Sequence, residues 1–199
     1  MKRGRIPQTR LAQHYWNQLL EHKAGGQSVF ALDATAGNGH DTLKLAEKVG
    51  PKGRVWAFDV QADAIAASAE RLLSAGFEDR VELICADHAE WPLRLPEDVK
   101  GRLDLAVFNL GFLPGSASGR TTLSDSTLKA LAPLADWLRP GGLLTVLCYP
   151  GHAEGAEETV AVKGWIGKHR SDFSCWVQHV PQGCKAAPPE LHVLMKGEA

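Results

Sequence analysis

The sequence predicts an α/β fold, a Rossmann-like doubly wound sheet of seven strands that is mostly parallel. Three observations predict it. Five short apolar runs alternate with stretches of helical periodicity. The first run passes through Asp33-Ala34-Thr35-Ala36-Gly37-Asn38-Gly39-His40-Asp41, a glycine turn that opens a helix. Two further strand-like runs close the chain with no helix between them.

Residues from about Thr9 to Lys23 place Leu11, Tyr15, Leu19 and Leu20 on one side of a helix, which Ala24-Gly25-Gly26 ends. His14 and Trp16 on this helix are either packing and surface residues or a roof over a ligand site. Val29 to Leu32 is the first strand. Thr42 to Val49 is the helix behind the glycine turn, with Leu43, Leu45, Ala46 and Val49 inward. Arg54 to Phe58 is the second strand and ends at Asp59; Gln61 to Ala75 is an Ala-rich helix stopped by Gly76. Val81 to Cys85 is the third strand and runs into Asp87-His88. Trp91 to Gly101, with its prolines and charges, is loop or short helix. Leu103 to Phe108 is apolar enough for a central parallel strand and ends in Asn109-Leu110-Gly111-Phe112-Leu113-Pro114.

A Gly- and Ser-rich loop follows, a lid or a plain connection. Ser124 or Asp125 then caps a helix carrying Leu128, Leu131, Leu134, Ala135 and Leu138, which Pro140-Gly141-Gly142 breaks. Leu143 to Cys148 is the fifth strand and empties into Tyr149-Pro150-Gly151-His152. Glu154 to about His169 is another helix. Phe173 to Val180 and Leu191 to Met195 are the last two strands, and direct pairing makes one of them antiparallel.

With 199 residues the expectation is a single domain over 1–199, residues 1–26 forming an N-terminal helical segment. The 44% hydrophobic and 23% charged content is ordinary for a soluble globular protein. A net charge of −1 gives no global pull toward nucleic acid. A nucleic-acid partner would need a local patch, and Lys2-Arg3-Arg5-Arg10 is either that patch or a solvated tail. Cys85, Cys148, Cys175 and Cys184 form no C-x-x-C pair, and Cys85 and Cys148 sit in apolar runs as small core residues. A reducing cytoplasmic setting without a structural metal follows. No run reaches membrane-span length, and no signal peptide opens the chain.

The glycine turn narrows the ligand. Gly37 and Gly39 let backbone approach it, and the helix start offers unpaired N–H groups. Asp59 lies 20 residues after Gly39, the distance at which a carboxylate grips ribose hydroxyls. A dinucleotide calls for a third glycine at 42, where Thr stands, and Asp41 would oppose its pyrophosphate. S-adenosylmethionine carries the same adenosine without phosphate and a positive sulfonium, which suits a turn flanked by Asp33 and Asp41. The alternative for Asp41 is that it merely caps its helix. Asp87 reaches an adenine amino group or caps a helix, and His88 stacks or hydrogen-bonds.

The turn, the ribose acid and the strand count together resemble class I S-adenosylmethionine-dependent methyltransferases. Three strings resemble one small bacterial family more narrowly: Asp33-Ala-Thr-Ala-Gly-Asn-Gly-His-Asp-Thr42, Asn109-Leu-Gly-Phe-Leu-Pro-Gly115 and Tyr149-Pro-Gly-His-Ala-Glu-Gly155. It was first labelled as rRNA methylases (the YtqB type) and is understood as the MnmM-type tRNA wobble-uridine methyltransferases. The likeness runs over nearly the whole chain. It implies 5-aminomethyl-2-thiouridine at the tRNA wobble position as substrate, its N-methylated form and S-adenosylhomocysteine as products, and the anticodon stem-loop as partner. It further implies that Asn38, His40, Asp59, Gln61, Asp87 and His88 are cofactor contacts. The family's Asn-x-Pro-Pro appears here in Lys185-Ala186-Ala187-Pro188-Pro189, with the Asn replaced.

An alkyl ammonium has no lone pair, so an N-methylation site must favour the neutral amine or take its proton. Asn109, at a central strand end, is the candidate to orient the amine's N–H bonds and also to touch cofactor. Phe112 and Pro114, with His14 from the first helix, are candidates to hold the base. Tyr149 and His152 are candidate proton acceptors, and for His152 capping is the alternative. The weak overall charge leaves room for a homodimer that pools two basic patches. Competing readings are an rRNA or small-amine methyltransferase of the same fold, and a NAD-binding oxidoreductase or non-catalytic nucleotide-binding module.

Overall fold

The computed structural model describes residues 6–21, 28–111, 124–183 and 187–198. Its strands are β1 (Phe30–Asp33), β2 (Arg54–Asp59), β3 (Val81–Cys85), β4 (Leu103–Asn109), β5 (Leu138–Cys148), β6 (Phe173–His179) and β7 (Glu190–Lys196). Its helices are α1 (Gln8–Glu21), α2 (His40–Lys48), α3 (Ala62–Ala75), α4 (Trp91–Arg94), α5 (Ser124–Leu131), α6 (Leu134–Trp137) and α7 (Ala153–Lys168). The strands make one sheet in the order β3-β2-β1-β4-β5-β7-β6. The first five run parallel, and β7 is antiparallel to both of its neighbours. The strand order reverses between β1 and β4, so a crevice opens at their carboxyl ends, where open α/β sheets bind ligands.

Central strands covered on both faces must be apolar throughout, and β4 is buried from Leu103 to Phe108. On one face Ala12, Trp16 and Leu20 of α1 pack over Ala31, Leu105, Val107, Leu143 and Leu147. Trp16 is a packing residue: its indole N–H donates to Thr145 Oγ1 at 3.0 Å, which satisfies both buried polar groups. On the other face Trp91, Trp137 and Trp165 pack with Phe58, Phe108 and Leu131. The Trp91 indole donates to the Ala130 carbonyl at 2.8 Å. Among the described residues no helix is long and apolar enough to cross a membrane.

The structure departs from the sequence expectation around 132–142. Pro133 has no N–H to continue the ladder, so α5 stops at Leu131, and only the single turn of α6 follows. The strand then begins at Leu138, five residues before the apolar run, and carries Pro140 through a register irregularity. Gly141 takes φ +69° there, and a Cβ on Gly142 would meet the Leu103 carbonyl at 2.9 Å. Cys148 is buried as expected, which pushes its thiol up to about 12, but Cys85 is exposed because β3 is a sheet edge.

Candidate active site

The loop after β1 is stitched to both neighbouring strands. Ala34 N–H donates to the Val107 carbonyl at 2.9 Å and Ala36 N–H to the Phe58 carbonyl at 2.8 Å. Asp33 is wholly buried beneath the turn, where one oxygen accepts from Thr35 N–H (3.1 Å) and the other from Thr42 Oγ1 (2.6 Å). Thr42 thus occupies the third-glycine position because it satisfies this acid. Burial pushes the Asp33 carboxyl up to about 7, and the charges of Asp41 and Asp59 add to the rise. Gly37 and Gly39 have φ of 52° and 76°, in the region that favours glycine.

Asp59 braces the same turn from β2. Its Oδ2 accepts from Gly37 N–H and its Oδ1 from Gln61 N–H, both at 2.9 Å. Arg71 Nε donates to the Asn38 carbonyl at 2.7 Å, and Nε2 of the exposed His40 ring lies 3.3 Å from Arg71 Nη2. His40 therefore points outward along α3. Asp41 and Asp59 flank the turn with acidic groups, which oppose a pyrophosphate and favour a sulfonium and an ammonium. The donor set fits S-adenosylmethionine.

Beyond β3, Asp87 caps a 3-10 turn by accepting from Ala89 N–H at 2.8 Å, and Ser126 Oγ donates to the same oxygen. Burial works against ionisation, but those two hydrogen bonds prevail and hold the carboxyl below its ordinary value. His88 is only 7% exposed, edge-on to Phe108, with Nε2 at 3.0 Å from Ser126 Oγ and 3.4 Å from Thr127 Oγ1. Burial lowers its pKa against the opposing charges of Asp87 and Asp59. Thr127 Oγ1 donates in turn to the buried Glu158 at 2.6 Å. His88 is thus a wedge that fixes the end of β3 against α5 and α7.

At the end of β4, Asn109 N–H donates to Thr35 Oγ1 at 2.7 Å, and its side-chain amide lies close enough to Asp41 to favour the charged carboxylate. Asp41 accepts from Gln13 Nε2 of α1 at 2.7 Å. It does not cap α2, whose N-cap is Gly39. Tyr149 packs on Gly111, where a Cβ would lie 3.2 Å from the ring. Burial, with help from the Asp41 charge, pushes the phenol up to about 12. Tyr149 is therefore a neutral phenol near neutrality, beside Gly111 at the end of β4. His152 takes the capping alternative: it is the N-cap of α7, and its Nδ1 accepts from Gly155 N–H at 3.1 Å.

The geometry brings together Asp33, Gly37, Asn38, Gly39, Asp59 and Gln61 around the turn, and Asp41, Asn109 and Tyr149 beside it. His14 is exposed on α1, edge-on to Tyr15, whose hydroxyl bonds His179 Nε2 at 2.8 Å. Phe112, Pro114 and Lys185-Ala186 lie outside the described residues. Gln13, Thr35, Ser68, Arg71 and Ser126 were not singled out from sequence. Thr35 lay within the motif; nothing marked Gln13, because its partner is 28 residues away.

A family model described as "Putative rRNA methylase" matches residues 55–194. The chain belongs to this rRNA methylase family. Its fold is that of the class I methyltransferases: a structure described as a "putative rRNA-methylase" from Clostridium thermocellum superposes with a TM-score of 0.87 at 28% identity, over 97% of this chain and 99% of that one. A structure described as a "putative methyltransferase" from Streptococcus mutans, solved with S-adenosylhomocysteine, gives 0.81 at 27% identity, over the same shares. This rRNA methylase family member is also 37% identical over 181 residues to a chloroplastic tRNA (mnm(5)s(2)U34)-methyltransferase of Arabidopsis thaliana. That match covers 86% of this chain and 64% of the plant protein, so the chain spans under two thirds of that relative's length.

Proposed function

We propose that this chain is an S-adenosylmethionine-dependent N-methyltransferase of tRNA. It converts 5-aminomethyl-2-thiouridine at the wobble position to 5-methylaminomethyl-2-thiouridine and yields S-adenosylhomocysteine. The observation that carries the reading is that Asn109 and Asp41 line one small cavity at the strand-order reversal, next to a turn whose acids suit a cationic ligand. The name of the Arabidopsis relative supports this nucleoside, and the complex of the S. mutans neighbour supports this methyl donor.

When bound, the donor supplies an electrophilic methyl group. The chain supplies position and a polarised pocket. Asp59 would hold the ribose hydroxyls, with Gln61 beside it. The Gly37–Gly39 backbone, above the buried Asp33, would hold the amino-acid tail. Asp87 would receive the adenine amino group, with His88 behind it. Asn109 orients the amine, and Phe112 and Pro114 hold the flipped base. The anticodon stem-loop is the part of tRNA that presents this base, and a homodimer pooling two N-terminal basic patches would grip its phosphates. The free thiols Cys85, Cys148 and Cys175 suit a reducing cytoplasm.

The test is incubation with labelled methyl donor and tRNA bearing the aminomethyl base, followed by nucleoside mass spectrometry. The added methyl is expected on the wobble nucleoside. Methylation of rRNA or a free amine in its place would redirect the substrate. A thermal shift with NAD but not S-adenosylhomocysteine would overturn the methyltransferase reading altogether.

A further inference from the structure

Asp41 is set apart from the other acids of the turn by what surrounds it. It leaves the first turn of α2 toward α1 rather than toward Asp59; its hydrogen-bond partner Gln13 and its cavity neighbour Asn109 are neutral amides that leave its charge in place. With Thr9, Ala12, Trp16, Asn109 and Thr145 it lines a small cavity between α1 and the ends of β4 and β5. Asn109 therefore connects this carboxylate to the rim where methyl transfer is placed.

We propose that Asp41 is the substrate-side carboxylate, receiving the attacking amine and taking its proton, with Gln13 and Asn109 as positioning residues. The inference rests on the N-methylation reading. The bound ammonium gives one proton to Asp41. The freed nitrogen lone pair forms the N–C bond to the methyl group as the C–S bond breaks and its electron pair goes to sulphur. The product leaves as a secondary ammonium, and the Asp41 proton passes to water, so one proton is released for each methyl transferred.

The charged and titratable groups around Asp41 are His40 and Lys44 on its own helix, Asp33 at the end of β1 and Tyr149 after β5. Burial, the largest influence, raises the Asp41 carboxyl above its ordinary value and brings it closer to an amine of pKa roughly 10. Proton exchange inside the complex is independent of bulk pH. Without the carboxylate, the neutral amine has to form by loss of its proton to solvent.

The experiment measures single-turnover methyl transfer to tRNA bearing the aminomethyl base from about pH 6.5 to about pH 9, with S-adenosylhomocysteine affinity measured by calorimetry in parallel. The wild-type rate is expected to be nearly flat. Asp41→Asn is expected to be about 100-fold slower at neutral pH and to rise about tenfold per pH unit, with the calorimetric Kd within about threefold of wild type. Asp41→Glu keeps the carboxylate and is expected to keep the flat profile. An Asp41→Asn rate equal to wild type, a flat Asp41→Asn profile, or a Kd weakened in proportion to the rate would each overturn the assignment. A wild-type protein inactive on this tRNA would overturn the N-methylation reading, and the role of Asp41 with it.

Discussion

Gly39 and Ser68 are in van der Waals contact at the limit of approach: a Cβ on Gly39 would lie 2.7 Å from Ser68 Oγ and 2.9 Å from Ser68 Cα. The same hydroxyl donates to the Gly37 carbonyl at 2.8 Å, so α3 clamps the turn from outside. Gly39→Ala therefore meets backbone strain of about 1 kcal/mol at φ 76°, and a clash that only movement of α3 relieves. It is expected to weaken S-adenosylhomocysteine binding more than about tenfold by calorimetry. Ser68→Gly removes the Oγ and Cβ contacts and is expected to recover part of that loss. Undiminished affinity in Gly39→Ala would mean that the turn does not hold the ligand.

Asn109→Ala and His152→Ala separate chemistry from capping. Asn109→Ala removes the amide that lines the cavity with Asp41 at the rim, and the expected result is a transfer rate at least about tenfold lower with binding of S-adenosylhomocysteine largely kept. His152→Ala removes the acceptor for Gly155 N–H, and the expected loss is about 1 kcal/mol of stability in urea unfolding. His152→Asn, a favoured cap, should restore it. A rate loss in His152→Ala that His152→Asn fails to repair would return His152 to the chemistry.

Arg139 and Asp104 hold the opposite end of the sheet. Asp104 is 1% exposed, accepts from Arg139 Nε, and accepts from Phe30 N–H at 2.9 Å. Arg139→Ala leaves a buried carboxylate without its cation, and about 3 kcal/mol of stability should be lost. Because this pair lies at the amino end of β4 and the site at the carboxyl end, affinity for S-adenosylhomocysteine should not change in the folded protein. A coupled loss of affinity would contradict that separation.

Local chemistry made the strand ends legible in the sequence. Asp33, Asp59, Asp87, Asn109 and Tyr149 each follow an apolar run, and a parallel sheet puts all such ends on one rim. Pairings across long separations were not legible. Ser126 meets Asp87 and His88 from 39 and 38 residues away, and Gln13 of α1 meets Asp41 of α2 from 28 residues away on the same face of the sheet. The helix expected through Leu138 failed for a different reason. The apolar period persists past Pro133, so periodicity outweighed a residue that cannot donate to the ladder.

His192 and Asp33 pull the pH dependence of stability in opposite directions. His192 is fully buried in β7, stacked on Trp176, with Nε2 at 3.8 Å from Glu190 Oε2. Burial pushes it down to about 4; the Glu190 charge opposes this and Lys163 adds to it. An unfolded chain protonates this ring near pH 6.5 and the native chain only near 4, so its contribution is full above 6.5 and lost as pH falls through about 4. Asp33 has the opposite sign. Its carboxyl is raised from 3.8 to about 7, so the native chain keeps a proton that the unfolded chain releases. That contribution is full below 3.8 and lost as pH rises through 7. At most the His192 contribution amounts to about 3 kcal/mol and that of Asp33 to about 4 kcal/mol, and the two oppose each other across the shared window. In urea titrations from about pH 4.5 to about pH 7.5, His192→Leu should leave the Asp33 limb exposed, so that stability falls as pH rises. Asp33→Asn should leave the His192 limb, so that stability falls as pH drops. If both variants run parallel to wild type throughout, neither group titrates differently in the folded and unfolded chains.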